Sequence, residues 1–221
     1  MDRDYWNKYY EKTVVGGEPS SFAQVCASKY LTTDSVILEP GCGNGRDSFY
    51  FASLGYTVYA FDQSSRIIAR VTDQNTFDNL TFYTENVANI QNPQEDLTQL
   101  NYATSKINCI YTRFVLHSLS QEEESELINW AYTALPFDGL FLIEARSIES
   151  SLYRKGKKVG KHTYFYNEHC RRFIDKEELS DVLLSRGFVL IDVMEGKDVA
   201  VQGEDNPVVI RVAAKKVRKS Q

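Results

Sequence analysis

Short apolar runs closed by glycine, proline or an acid alternate along this chain with segments of helical spacing. Ser35-Val36-Ile37-Leu38-Glu39, closed by Pro40-Gly41, reads as a buried parallel strand feeding a tight turn. A helix is expected from Arg46 to Leu54, stopped by Gly55. Thr57-Val58-Tyr59-Ala60-Phe61 follows as a β-branched and aromatic strand ending at Asp62. Ser64 caps a helix over 65–73, and further strands are expected over 80–84 and 107–112. Ser120 and the first-turn acids Glu122 and Glu123 open a helix whose apolar positions Leu127, Ile128, Ala131 and Leu135 share one face, and Pro136 ends it. After a strand over 140–145 the rhythm breaks until a helix over 175–186. Strands over 188–193 and 208–213 come last, joined through the turn-rich Gly203-Glu204-Asp205-Asn206-Pro207. A connection without a helix implies an antiparallel pair.

This order predicts an α/β fold: a Rossmann-like, seven-stranded, mostly parallel sheet with an antiparallel C-terminal hairpin strand and helices on both faces. Residues 1–221 are expected to form a single domain, elaborated by a helical segment over 1–30 and an insertion over 147–174.

Composition narrows the function classes. No apolar run approaches the roughly 18 residues of a membrane span, and Met1-Asp2-Arg3-Asp4-Tyr5-Trp6 lacks a secretory profile. A soluble, cytoplasmic protein with no membrane partner is expected, as a monomer or homodimer. Cys26, Cys42, Cys109 and Cys170 are scattered singly, which reads as reduced thiols and no metal site. The net charge of −5 argues against a nucleic-acid partner. Ser151–Arg172 nevertheless carries seven Lys/Arg against the single acid Glu168, so this stretch is +6 and the remainder −11. That stretch is expected to face negative charge.

Glu39-Pro40-Gly41-Cys42-Gly43-Asn44-Gly45-Arg46-Asp47 lies between the first strand and first helix of the unit, where open α/β sheets bind ligands. A dinucleotide fold would space its glycines G-x-G-x-x-G to seat a pyrophosphate. Here the spacing is G-x-G-x-G, and Glu39 would repel a pyrophosphate while accepting a hydrogen bond from an ammonium group or water. The turn therefore favours a ligand carrying an amino acid. Asp62, 23 residues beyond Glu39, stands where a carboxylate accepts from both hydroxyls of a ribose.

Together with the strand order, these residues resemble the first two signature motifs of the class I S-adenosylmethionine-dependent methyltransferases. The resemblance spans residues 1 to 214 as a fold and concentrates between 36 and 117. It implies S-adenosyl-L-methionine as cofactor, with Gly41, Gly43 and Arg46 at its methionyl part, Glu39 anchoring its amino-acid end and Asp62 at its ribose. Glu85-Asn86-Val87 matches the adenine motif, with Asn86 in place of the usual Asp. Thr112-Arg113-Phe114-Val115-Leu116-His117 matches the motif that packs on the cofactor and faces the acceptor. The aromatic segment from Tyr5 to Tyr10 is similar to the lid that precedes the first strand in this family, with Tyr10 on the cofactor side. A weaker resemblance links the chain to tellurite- and phosphonate-methylating enzymes, which handle oxyanions.

The acceptor side is expected to use His117 as a base or an orienting group, with Arg146, Lys161, Tyr164, His169, Arg171 and Arg172 around a small anionic substrate bearing phosphonate, phosphate or carboxylate. O-methylation is the expected chemistry. The rivals are a nucleic-acid methyltransferase, a binding module without turnover, and a nicotinamide reductase, which the glycine spacing disfavours.

Overall fold

The computed structural model describes residues 3–11, 13–90, 106–167, 169–201, 203 and 205–218. Helices α1 (Arg3–Tyr10) and α2 (Ser21–Lys29) precede β1 (Val36–Pro40), α3 (Arg46–Ser53), β2 (Thr57–Asp62), α4 (Ser65–Asp73) and β3 (Leu80–Thr84). Then come β4 (Cys109–Arg113), α5 (Gln121–Ala134), β5 (Leu140–Arg146) and three short strands, β6 (Lys157–Gly160), β7 (Thr163–Tyr166) and β8 (His169–Arg172). Helix α6 (Lys176–Arg186) and strands β9 (Phe188–Gly196) and β10 (Val209–Lys216) complete the order.

The main sheet has seven strands in the order β3-β2-β1-β4-β5-β10-β9. The first five are parallel, and β10 runs antiparallel to both β5 and β9. The expected Rossmann-like sheet with its reversed strand is thus present. Alternation along the strands supplies two cores. Ile37, Val58, Tyr111 and Leu142 face the layer of α2, α3 and α4. Leu38, Phe61, Ile110 and Ile143 face the layer of α5 and α6.

Local chemistry sets the helix ends where the sequence marked them. Ser64 accepts from the Ile67 amide at the start of α4. Ser120 and Glu123 close a reciprocal capping box on α5. Asp175 caps α6 rather than joining it, and Gly187 ends it at φ +104°.

The stretch over 147–174, where the alternation of strands and helices breaks, is itself folded. Strands β6, β7 and β8 form a small antiparallel sheet. Its end returns to the main sheet where Ser147 bridges Ile174 beside β5. Tyr153, Tyr164 and Phe173 pack edge to face beneath it.

The described cysteines are free thiols, with Cys26, Cys42 and Cys109 buried and Cys170 exposed. Among the described residues no helix is long and apolar enough to cross a membrane.

Candidate active site

A cavity of about 890 Å³ opens at the carboxyl ends of β1, β2, β4 and β5. The glycine crossover forms one wall. Gly41, Gly43 and Gly45 all have positive φ, at +71°, +53° and +75°. A Cβ on Gly41 would stand 2.7 Å from a Val115 methyl, and one on Gly43 would stand 2.5 Å from the Tyr10 hydroxyl. Both the turn and the close approach of α1 therefore require glycine.

Asp62 ends β2 beside this turn. Its Oδ1 accepts from the Ser64 amide at 2.9 Å and its Oδ2 from the Gly43 amide at 3.2 Å. The carboxylate is fixed against the crossover. Burial still raises its pKa, against the lowering pull of those two amides. Glu39 is 4% exposed and takes a 2.5 Å hydrogen bond from Ser48 Oγ. Burial, with the charge of Asp47 nearby, pushes its pKa up to about 8. Gln63, beside Asp62, lines the cavity with a buried Oε1 that finds no hydrogen-bond partner among the described residues. Such an acceptor is free to take a hydrogen bond from water or from a ligand in the cavity.

Beneath the glycine turn, Asp47 binds three groups. It accepts from the Ser20 amide and hydroxyl, each at 2.7 Å, and from the Tyr111 hydroxyl at 2.8 Å. This ties the N-cap of α2 to the floor of β4. The chain before it is pinned as well: Arg70 donates to the carbonyls of Tyr10 and Thr13, and Asn44 to those of Val14 and Gly16.

The neighbouring wall, at the ends of β4 and β5, is cationic. Arg113 on β4, Glu144 on β5 and Arg211 on β10 lie directly opposite one another in register. Glu144, fully buried, accepts from Arg113 Nε at 2.9 Å and Arg211 Nε at 2.6 Å. The next residue, Phe114, adopts φ +58°. Its ring lies 4.4 Å from the Arg113 guanidinium and 5.3 Å from that of Arg146. His117 follows, 7% exposed, with Nδ1 buried and without a hydrogen-bond partner among the described residues. Burial, reinforced by Arg146, His169, Arg171 and Arg113, drives its pKa well below the usual imidazole value, so its ring is neutral near pH 7.

The structure thus brings Tyr10, Glu39, Gly41, Gly43, Arg46, Asp62, Val87, Arg113, His117, Arg146, His169 and Arg171 to one cavity. Four expected site residues are not among its lining. Asn86 turns its carbonyl oxygen back to the Ala88 amide at 3.0 Å, capping a short 3₁₀ turn. Lys161 pairs with Glu178 at 2.7 Å. Tyr164 packs in the aromatic cluster under the small sheet. Arg172 donates to the carbonyls of Leu119 and Leu116 and pairs with Glu124, clamping β8 to the 3₁₀ turn of His117. Sequence reasoning in turn missed Gln63, Phe114, Asp47 and the residues 198, 199, 201 and 205 of the β9–β10 loop, all of which line the cavity. Asp47 and Phe114 stood within the motifs. Nothing in the local pattern around Asp205 shows that its loop folds back over the site.

A family model described as a methyltransferase domain matches residues 19–193. The chain belongs to that family, and its seven-stranded sheet has the fold of the solved methyltransferases it superposes on. It is 33% identical over 92 residues to a probable S-adenosyl-L-methionine-dependent methyltransferase, TehB, of Haemophilus influenzae. That match covers 40% of this chain and 30% of the relative's length. Among solved structures, a methyltransferase from Methanosarcina mazei superposes with a TM-score of 0.72 at 18% identity, covering 87% of this chain and 97% of the other. The 1,6-didemethyltoxoflavin-N1-methyltransferase of Burkholderia thailandensis, solved with its acceptor and S-adenosylhomocysteine, gives 0.64 at 17% identity, covering 90% and 77%.

Proposed function

We propose that this chain methylates a small anionic metabolite, through an acceptor oxygen, at the expense of S-adenosyl-L-methionine. The observation that carries the reading is the division of one cavity into two walls. One holds the glycine crossover, Glu39, Asp62 and Gln63; the other holds His117, Arg113, Arg146, His169 and Arg171.

The residues present fit the cofactor. Glycines 41 and 43 leave the backbone bare, Glu39 is a desolvated acceptor suited to an ammonium group, Asp62 is fixed at the tip of β2, and Gln63 offers an unused buried oxygen. Bound there, the cofactor supplies a methyl group already activated by its sulfonium. The protein then aligns the acceptor and excludes water. Arg146 and Arg171 balance the acceptor's charge. Neutral His117 takes the proton from a hydroxyl acceptor, or orients an acceptor that is already an oxyanion. Residues 1–30 act as the lid and 147–174 as the acceptor-side insertion of a single domain, cytoplasmic and monomeric or homodimeric, with no nucleic acid or membrane partner.

Calorimetry with S-adenosyl-L-methionine tests the first wall, and Asp62→Ala is expected to weaken binding at least about ten-fold. Labelled cofactor and a panel of carboxylates, phosphates and phosphonates test the second. Arg171→Ala is expected to impair acceptor use and leave cofactor affinity nearly unchanged, and equal loss of both would refute the assignment. The methylated atom follows from the product, and transfer to nitrogen alone would overturn the oxygen reading.

A further inference from the structure

The loop between β9 and β10 brings a carboxylate back onto the acceptor wall. Asp205 forms a two-point ion pair with Arg146: Nη1 lies 3.3 Å from Oδ1, and Nη2 contacts Oδ2 more closely. The two side chains differ in exposure, 11% for Arg146 and 47% for Asp205. The arginine is built into the wall, while the acid reaches it from the solvent side. Both line the cavity. The loop itself is cross-tied by reciprocal hydrogen bonds between Asp198 and Asn206. The Phe114 ring lies beside the Arg146 guanidinium as an apolar plate, 5.7 Å from the ring of His117.

A guanidinium presents two parallel donors that match the two oxygens of a carboxylate. Asp205 shows Arg146 gripping one in that manner, at the edge of the chamber that must receive the acceptor. We propose that Asp205 stands in for the acceptor's own carboxylate, holding the Arg146 fork until a carboxylate-bearing acceptor displaces it. The pair thereby selects small carboxylates with an apolar body over neutral molecules of the same shape. This inference rests on the acceptor wall assigned above. The exchange replaces one carboxylate by another, and no covalent bond changes. A neutral acceptor gains nothing from Arg146 and leaves Asp205 in place.

The test is calorimetry of benzoate and its neutral counterpart benzamide, in the presence of saturating S-adenosylhomocysteine. Asp205→Asn removes the competing charge, and benzoate is expected to bind it about ten-fold tighter than wild type. Arg146→Gln, alone or combined with Asp205→Asn, is expected to bind benzoate at least about ten-fold more weakly than wild type. Benzamide is expected to bind all four proteins alike. A loop-anchoring role alone would make Asp205→Asn bind no better, so the gain is diagnostic. No tightening in Asp205→Asn, undiminished binding by Arg146→Gln, or an equal gain for benzamide would overturn the proposal. Hydrogen exchange on the unaltered protein gives a second readout. Benzoate, and not benzamide, is expected to speed exchange in the 197–207 loop, and unchanged exchange would also overturn it. A separate titration of wild type with S-adenosylhomocysteine alone keeps the two readings apart. Absence of binding there refutes the methyltransferase reading, whereas binding there with no benzoate effect refutes only the role of Asp205.

Discussion

The imidazole of His169 stacks on the phenol ring of Tyr5, centroids 4.1 Å apart and planes 12° from parallel. Trp6 meets the same imidazole edge to face at 5.3 Å. Two segments more than 150 residues apart in sequence, α1 and β8, are thereby joined above the cavity.

Aromatic pairs of this kind contribute roughly 0.5–1.5 kcal/mol beyond their buried area. Tyr5→Ala is expected to weaken closure by about 1 kcal/mol, read as roughly five-fold weaker cofactor binding, with Tyr5→Phe close to wild type. Trp6 sits in the contact, so its fluorescence should respond to cofactor in wild type and respond less in Tyr5→Ala.

The raised pKa of Glu39 has two pH consequences. The folded state holds a proton that the unfolded state releases from about pH 4.5 upward, so this residue's contribution to stability is full below that value and is lost as pH rises through about 8. Thermal melts of the cofactor-free protein should therefore fall across that window, and Glu39→Gln should flatten the trend. A cofactor ammonium group favours the carboxylate, so binding should release a proton near neutral pH. Calorimetry in buffers of different ionisation enthalpy measures that release.

With hydroxyl acceptors, His117→Ala is expected to lower kcat at least about 10²-fold. With acceptors already ionised the fall should be several-fold only. Because burial, reinforced by the surrounding cations, holds the imidazole neutral, the kcat profile of wild type should show no His117 inflection near pH 6.5. A plateau breaking at that pH would contradict the assigned protonation state.

Glu144 is the single buried anion between Arg113 and Arg211. Removing one partner of such a buried ionic group costs about 3–5 kcal/mol. Glu144→Gln is therefore expected to lower Tm by roughly 10 °C for a chain of this size. Cofactor affinity at low temperature should change less than acceptor use, since Arg113 lines the acceptor wall.

What the sequence disclosed follows from what was local. The strands over 36–40 and 57–62 were legible because each is an apolar run ended by a residue the turn requires, and Glu39, the glycines and Asp62 lie at those ends. Helices α4 and α5 were legible because their N-caps, Ser64 and Ser120, are encoded in the adjoining residues. The sheet of β6, β7 and β8 was not, since its strands are only four residues long and lack a clear alternation of apolar and polar positions, and two are joined through His162 at φ +53°. Lys161 and Arg172 carried the right charge, but Glu178 and Glu124, distant in sequence, neutralise it. Charge counting along the chain finds cations and says nothing of their partners. The local sequence around Asn86 likewise does not show that its side-chain oxygen accepts from the backbone amide two residues on.

The small sheet leaves the main fold after β5 and rejoins it beside the same strand, through the bridge between Ser147 and Ile174. It carries His169 and Arg171, while Glu39, Asp62 and the glycines belong to strands and turns at the other end of the chain. On the proposed assignment of the two sets of residues, exchanging this module for one that keeps His169 against Tyr5 but differs elsewhere would change which molecule is accepted and leave α1 seated over the cavity. The bridge between Ser147 and Ile174 closes the excursion into a self-contained cassette, and it marks the two points between which such a graft is made.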